Sequence, residues 1–163
     1  MKNKLKNELE NELQAMQTEQ VLRQLRPLRV VSLFDGISCG HVALERAGYD
    51  VSYYAAFEID KYAKAISRYQ YPNIKHYGDV MYADFTQFTD IDILIGGSPC
   101  QKFSIAQSKS RETEKGGIGW ELFMKYVEAV RIIKPAYFLY ENVASMHKNM
   151  RQYITEEEAV SRL

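Results

Sequence analysis

Residues 90–97 read "DIDILIGG", an apolar run of aliphatic and β-branched residues closed by glycines. A short run of this kind, bounded by turn residues, predicts a strand that is buried on both faces of a sheet. The residues that follow, "SPCQKFS" at 98–104, begin where this strand ends. Ligands of parallel sheets bind at the carboxyl ends of the strands, so Cys100 is predicted to lie at a binding edge. Pro99 stiffens the backbone beside it, which suits a nucleophile.

Strand and helix patterns alternate along the chain from Arg29 onward. The predicted strands are 29–34, 51–58, 74–80 (a short strand and turn), 91–97 and 135–143, and the predicted helices are 40–48, 60–70 and 119–134. This alternation predicts an α/β fold in which a parallel sheet carries helices on both faces. We expect one folded domain over 28–163, with the sheet ending at its fifth strand.

Residues 1–27 have a different pattern. Leu5, Leu9, Leu13 and Met16 recur at three- and four-residue spacing among charged and amide residues, and Pro27 follows. This spacing predicts an amphipathic helical arm. Two interpretations of the arm stay open: a solvated extension, or a helix that docks or self-associates.

Composition excludes several classes of protein. The 163 residues carry 21 basic and 21 acidic side chains, so net charge indicates no particular partner. Two cysteines and three scattered histidines form neither a disulfide framework nor a zinc-ligand pattern. No apolar run is long enough to cross a bilayer, and the N-terminus is too polar for a secretory signal. We therefore expect a cytoplasmic protein without a metal or a membrane partner.

A glycine-bearing turn and two acidic residues follow the first three predicted strands. The turn, "FDGISCG" at 34–40, opens a helix, and its glycines allow a ligand to approach the backbone closely. Glu58 ends the second strand, where an acidic residue commonly accepts hydrogen bonds from a ribose, and Asp79 ends the third. Together they predict a pocket for an adenosine-like group. The absence of a GxGxxG fingerprint disfavours a dinucleotide.

The order of these motifs resembles the first six signature segments of the DNA cytosine-5 methyltransferases. The matching segments are "FDGISCG", "FEID", "GDV", "GGSPCQKFS", "GWELF" and "YENV". The resemblance runs from about Arg29 to about Met146, and "SPCQ" with "ENV" is its most specific part. It implies a Rossmann-like methyltransferase fold, S-adenosylmethionine as cofactor and a DNA duplex with a flipped cytosine as partner.

The resemblance also implies a set of residues that contact the cofactor. They are Phe34, Gly36, Ile37, Cys39, Glu58, Ile59, Asp79, Val80, Pro99 and Leu122. Cys39 departs from a position that is commonly glycine in the family. We interpret it as a tolerated small residue and not as a second catalytic thiol.

Two residues match the catalytic positions of the family. Cys100 matches the nucleophile that adds to carbon 6 of cytosine, and Glu141 matches the residue that contacts N3 and the exocyclic amine. The thiol must reach its thiolate form, which a helix start or a neighbouring cation favours. A carboxyl group that donates a proton at neutral pH needs a raised pKa, which burial would supply.

The loop after Cys100 is the expected cover over the flipped nucleotide. Its predicted DNA-contacting residues are Gln101, Lys102, Ser104, Lys109 and Arg111, with Lys115 as a further phosphate contact. The alternative is that these charges face solvent, since Glu112 and Glu114 are interleaved with them.

The family continues beyond "ENV" with a Gln-x-Arg-x-Arg segment, a target-recognition domain and a final Asn-bearing segment, for which this sequence shows no match. Several interpretations stay open: a catalytic fragment with weak activity, one subunit of a split enzyme whose partner chain carries the recognition half, an RNA cytosine-5 methyltransferase, or a non-enzymatic cofactor-binding module. We also expect an exposed apolar fifth strand, which would make the isolated chain self-associate.

Overall fold

The structure, a computed structural model, describes residues 14, 26–99, 117–143 and 148–161. Most of the arm predicted for 1–27 therefore lies outside the described residues, and the helical arm stays a prediction. No helix within the described ranges has the length and apolar character needed to cross a membrane.

The described residues form a parallel sheet with strand order β3-β2-β1-β4-β5. The strands are β1 Leu28–Leu33, β2 Val51–Phe57, β3 Lys75–His76, β4 Ile93–Gly96 and β5 Tyr137–Tyr140. The helices are α1 Cys39–Arg46, α2 Lys61–Gln70, α3 Ile118–Ile133 and α4 Lys148–Ser161, with short 3₁₀ turns at Val80–Tyr82 and Phe85–Gln87. The predicted α/β fold is confirmed.

Strand β1 is the centre of the sheet because its side chains are apolar on both faces. Val30, Val31 and Leu33 are completely buried, and β1 pairs with β2 on one side and β4 on the other. Helices cover both faces of a parallel sheet, so its central strand is buried on both sides, and this run of aliphatic residues suits that position.

Helices cover both faces of the sheet, as predicted. On one face, Leu33, Phe57 and Leu94 belong to a core cluster with Tyr126 and Val130 of α3. On the opposite face, the cluster consists of Val30, Tyr54, Ala56 and Ile74, with partly buried residues such as Leu44 of α1 packed against it.

The prediction that the fourth strand is buried on both faces is wrong. Leu94 is buried, but Ile93 and Ile95 on the opposite face are only half-buried. Beside them on β5, Tyr137 and Leu139 are 64% and 55% exposed. Helix α3 covers one face of these two strands, and no helix in the described part of the chain covers the other to the same extent. Self-association through β5 stays a prediction.

Helix α4 was not predicted from the sequence. Met150 is completely buried and packs in one cluster with Phe123 and Val127 of α3. The ring of Tyr153 lies edge-on to Trp120, with 5.8 Å between ring centroids. Met150, Tyr153 and Ile154 stand three and four residues apart, a helical signal that was available in the sequence.

Replacing the buried methionine tests whether α4 belongs to the folded domain. Met150→Ala is expected to lower the free energy of unfolding by about 2–5 kcal/mol, because it leaves a cavity between α3 and α4. Ile132→Ala, at a side chain of α3 that is 42% exposed, is the control and should cost much less. Urea unfolding followed by circular dichroism measures both. Equal decreases in the free energy of unfolding for the two variants would mean that α4 does not pack as described.

Candidate active site

A buried carboxylate holds the turn that follows β1. Asp35 accepts hydrogen bonds from the Tyr54 hydroxyl at 2.7 Å and from Ser38 Oγ at 2.6 Å. Burial raises the pKa of Tyr54, and the charge of Asp35 raises it further, so the phenol stays protonated and donates. Asp35 was not singled out in the sequence, where a buried acidic residue cannot be told from an exposed one.

Glu58 joins the end of β2 to the same turn. Its Oε2 accepts the backbone N–H of Gly36 at 2.8 Å, and its Oε1 accepts those of Ile59 and Asp60, also at 2.8 Å. Gly36 has a φ of +61°, a conformation that glycine adopts without strain. A carboxylate has about four lone-pair sites, so about one remains for a ligand hydroxyl.

A cavity of about 110 Å³ opens at this edge of the sheet. Its lining residues are Phe34, Phe57, Glu58, Ile59, Gly78, Asp79, Val80, Pro99 and Leu122. Asp79 also caps the first 3₁₀ turn, since its Oδ1 accepts the N–H of Met81 at 2.9 Å. The lining is apolar on its walls and acidic where Glu58 and Asp79 stand, an arrangement that suits a flat ring attached to a hydroxyl-bearing group.

The cavity includes most, but not all, of the residues predicted to contact a cofactor. Gly36 takes part through Glu58 instead of lining the cavity. Ile37 and Cys39 do not line it, and both side chains are exposed. Phe57 and Gly78 line it and were missed, because neither carries a charge or belongs to a motif that would have drawn notice.

A larger cavity of about 370 Å³ lies at the opposite edge of the sheet, where strands begin. It is lined in part by His41, Glu45 and Tyr71. None of the predicted site residues lies there, so the smaller cavity is the candidate cofactor site.

Three polar residues join the ends of β4 and β5. Ser98 Oγ lies 2.6 Å from the Tyr140 hydroxyl. Asn142 Nδ2 donates to the Ser98 carbonyl oxygen at 2.9 Å and to the Tyr140 hydroxyl at 3.0 Å. Burial raises the pKa of Tyr140, so its hydroxyl stays protonated. These bonds orient the backbone immediately before Pro99. No motif in the sequence predicts the pairing of Ser98 with Tyr140.

Glu141 lies directly beside the segment that leads to Cys100. Its backbone N–H donates to the Gly96 carbonyl oxygen at 2.9 Å. A Cβ atom added at Gly97 would lie 2.5 Å from the Glu141 carbonyl oxygen and 3.1 Å from Oε2. Only glycine therefore permits this approach. The Glu141 side chain is exposed, so the burial expected for it is not supplied by the described residues.

Comparison with known proteins shows the family of the chain. Residues 28–160 match the family described as C-5 cytosine-specific DNA methylase. The chain belongs to this family.

Three relatives illustrate the extent of the match. The chain is 36% identical over 122 residues to the orphan methyltransferase M.Rho11sI of Bacillus phage rho11s, covering 73% of this chain and 24% of that protein. It is 31% identical over 141 residues to the type II methyltransferase M.XorII of Xanthomonas oryzae pv. oryzae, which covers 80% of this chain and 32% of that protein. It is 35% identical over 122 residues to the type II methyltransferase M.HhaI of Haemophilus parahaemolyticus, which covers 74% of this chain and 35% of that protein. The chain thus spans about a quarter to a third of these relatives.

Several predicted residues of this cytosine-specific methylase domain fall outside the described ranges. They are Cys100, Gln101, Lys102, Ser104, Lys109, Arg111 and Lys115. Their roles stay predictions. Within the described ranges, no group of three or more histidine, cysteine or acidic residues is arranged to hold a metal ion.

The contact between Ser98 and Tyr140 in the methylase domain is directly testable. Tyr140→Phe is expected to lower the free energy of unfolding by about 1 kcal/mol, because it removes a hydroxyl that bonds Ser98 and Asn142. Tyr137→Phe is the matched control, since its ring is 64% exposed on the same strand, and its effect should stay within about 0.5 kcal/mol. Chemical denaturation measures both. A Tyr140→Phe protein as stable as the control would contradict the network.

Proposed function

We propose that this chain is the cofactor-binding and nucleophile-bearing part of a DNA cytosine-5 methyltransferase that uses S-adenosylmethionine. The observation that supports this most is the cavity at the carboxyl edge of β1–β4, where Glu58 and Asp79 stand among apolar residues beside Pro99. Pro99 directly precedes Cys100, so the cofactor site and the nucleophile are neighbours in the chain.

The residues present fit an adenosine group. The cavity of about 110 Å³ is far below the roughly 300–1,000 Å³ of pockets that enclose drug-sized ligands, so it would enclose only part of the cofactor, such as the adenine. Phe34, Ile59 and Val80 would contact the adenine, and Glu58 would accept from a ribose hydroxyl. Pro99 and Leu122 would face the methionine end. The cofactor supplies an electrophilic methyl group on a sulfonium.

The reaction requires a nucleophile because carbon 5 of cytosine is electron-poor. In the proposed mechanism, the Cys100 thiolate forms a bond to carbon 6, and Glu141 supports proton transfer at N3 as negative charge builds on the ring. Once carbon 5 carries the methyl group, a base removes its proton and the carbon–sulfur bond breaks, which restores the ring and the thiolate. The hydrogen bonds that Ser98 makes with Asn142 and Tyr140 position the backbone that leads to this thiol.

The DNA-contacting role of the loop after Cys100 is part of the same proposal. The target carbon lies within the base stack, so the cytosine must be flipped out to reach Cys100. Gln101 and Ser104 would contact the flipped nucleotide and Lys102, Lys109 and Arg111 the phosphates. Recognition of a target sequence belongs to the remaining length of the relatives, supplied in the same polypeptide or by a partner chain.

The cofactor proposal is tested by calorimetry on this chain. S-adenosylmethionine or its demethylated product is expected to bind, and Glu58→Ala to weaken binding by about 1–3 kcal/mol, the scale of a lost charge-assisted hydrogen bond. Glu45→Ala, at the larger cavity, is the matched control and should leave affinity unchanged. Preferential binding of a nicotinamide dinucleotide would exclude the proposed cofactor.

The nucleophile is tested separately, with a partner supplying the recognition half if methyl transfer requires one. Cys100→Ser should abolish transfer to duplex DNA while leaving cofactor affinity within about twofold, because the serine hydroxyl is a far weaker nucleophile at neutral pH. A duplex with 5-fluorocytosine at the target should trap a covalent adduct, since fluorine does not leave as a proton does. Cys39→Ser is the control and should retain both methyl transfer and formation of the covalent adduct. An adduct mapped to Cys39 by mass spectrometry would overturn the assignment.

A further inference from the structure

One part of the sheet presents apolar side chains that the described residues leave exposed. The register pairs Ile93 with Tyr137 and Ile95 with Leu139, so these four side chains share one face of the sheet. We call them the β4–β5 face. Its exposure rises toward the edge of the sheet, from half-buried isoleucines on β4 to Tyr137 and Leu139 on β5, which are 64% and 55% exposed.

The opposite face of the same two strands is occupied. Leu94, Phe138 and Tyr140 belong to the cluster that packs against α3, and they leave no comparable apolar surface there. The exposed surface is therefore confined to the face that also carries Val30 and Tyr54, farther into the sheet. A contiguous apolar surface at a sheet edge is a site of association in soluble proteins.

The start of the described chain is anchored next to this face. Asp92 is buried, and its carboxylate binds the Arg26 guanidinium and the backbone N–H of Arg29. The Asp92 carbonyl oxygen accepts the N–H of Tyr137 at 2.8 Å, so the same residue contacts β5. A buried carboxylate paired with an arginine resists separation, because breaking the pair leaves an unpaired charge. The Arg26 side chain is therefore held at Asp92, the residue immediately before Ile93.

The preceding residues have the composition that such a face requires. Leu22 and Leu25 stand three residues apart just before Arg26, and Leu13 and Met16 have the same spacing farther away. At about 1.5 Å rise per residue, a helix needs only about nine residues to cross a four-residue strand of roughly 13 Å. The length available before Arg26 is more than sufficient.

We infer that residues 2–25 are the intramolecular cover of the β4–β5 face, with Leu22 and Leu25 as their contacts nearest the anchor. This resolves the two interpretations left open for the arm in favour of a docking helix. The inference is independent of the proposed catalytic function, since it depends only on exposure, sequence spacing and the Arg26–Asp92 pair.

Photo-crosslinking of the full chain tests this inference. The photoreactive amino acid p-benzoylphenylalanine is placed at Leu139, and crosslinked peptides are identified by mass spectrometry. We expect the main product to join residue 139 to a peptide within 2–25 of the same molecule. Mixing chains labelled with nitrogen-15 and unlabelled chains distinguishes products within one molecule from those between two. The same probe at Tyr82, which is 89% exposed but lies near the cofactor cavity, should give no such product.

Paired substitutions in the arm show which side chains make the contact. Leu22→Asp combined with Leu25→Asp should lower the crosslink yield at least fivefold, whereas Gln20→Asp combined with Gln24→Asp adds the same charge and should leave the yield within twofold. Crosslinks mainly between two molecules would show that a second copy covers the face. Crosslinks to residues beyond 26, or equal yields from both double variants, would also overturn the inference.

Discussion

The backbones of β1, β4 and β5 approach each other so closely at their carboxyl ends that β4 can end only in glycine. A Cβ atom at Gly96 would lie 2.8 Å from the Leu33 carbonyl oxygen, and one at Gly97 would lie 2.5 Å from that of Glu141. The three strands therefore end at one level. Pro99 follows β4 and Glu141 follows β5. The segments that hold them lie side by side because no side chain at Gly96 or Gly97 separates the backbones.

Hydrogen bonds, more than apolar packing, order the loops at this edge. Glu58 binds three backbone N–H groups and so fixes the turns after β1 and β2. Ser98, Tyr140 and Asn142 do the same for the segments after β4 and β5. Bonds to a carboxylate are stronger than neutral ones, and a hydroxyl pair sheltered by burial gains from the lower dielectric around it. Both sets of bonds lie around the cavity at the carboxyl ends of the strands and the segment that leads to Cys100.

The two faces of the sheet are closed in different ways. Helix α3, supported by α4, buries the face that carries Leu33, Phe57 and Leu94. The other face is closed over β1 and β2, half-buried over β4, and apolar and exposed over β5. The arm inferred above would reach this second face from Arg26, whose guanidinium binds the buried Asp92 carboxylate.

The family, the alternation of strands and helices as far as β5, and most of the residues that line the smaller cavity could be predicted from the sequence, because these depend on local apolar patterns and on motifs at strand ends. Glu58 and Asp79 could be predicted since each stands at the end of a recognisable strand, and Pro99 from its match to a motif of the family. Tertiary packing buries Asp35 beneath its turn, brings Phe57 and Gly78 to the cavity, and pairs Tyr140 with Ser98. It also leaves one face half-buried on β4 and exposed on β5. These features arise from contacts between residues distant in the chain, and apolar or hydroxyl side chains carry no sequence signal that names their partners.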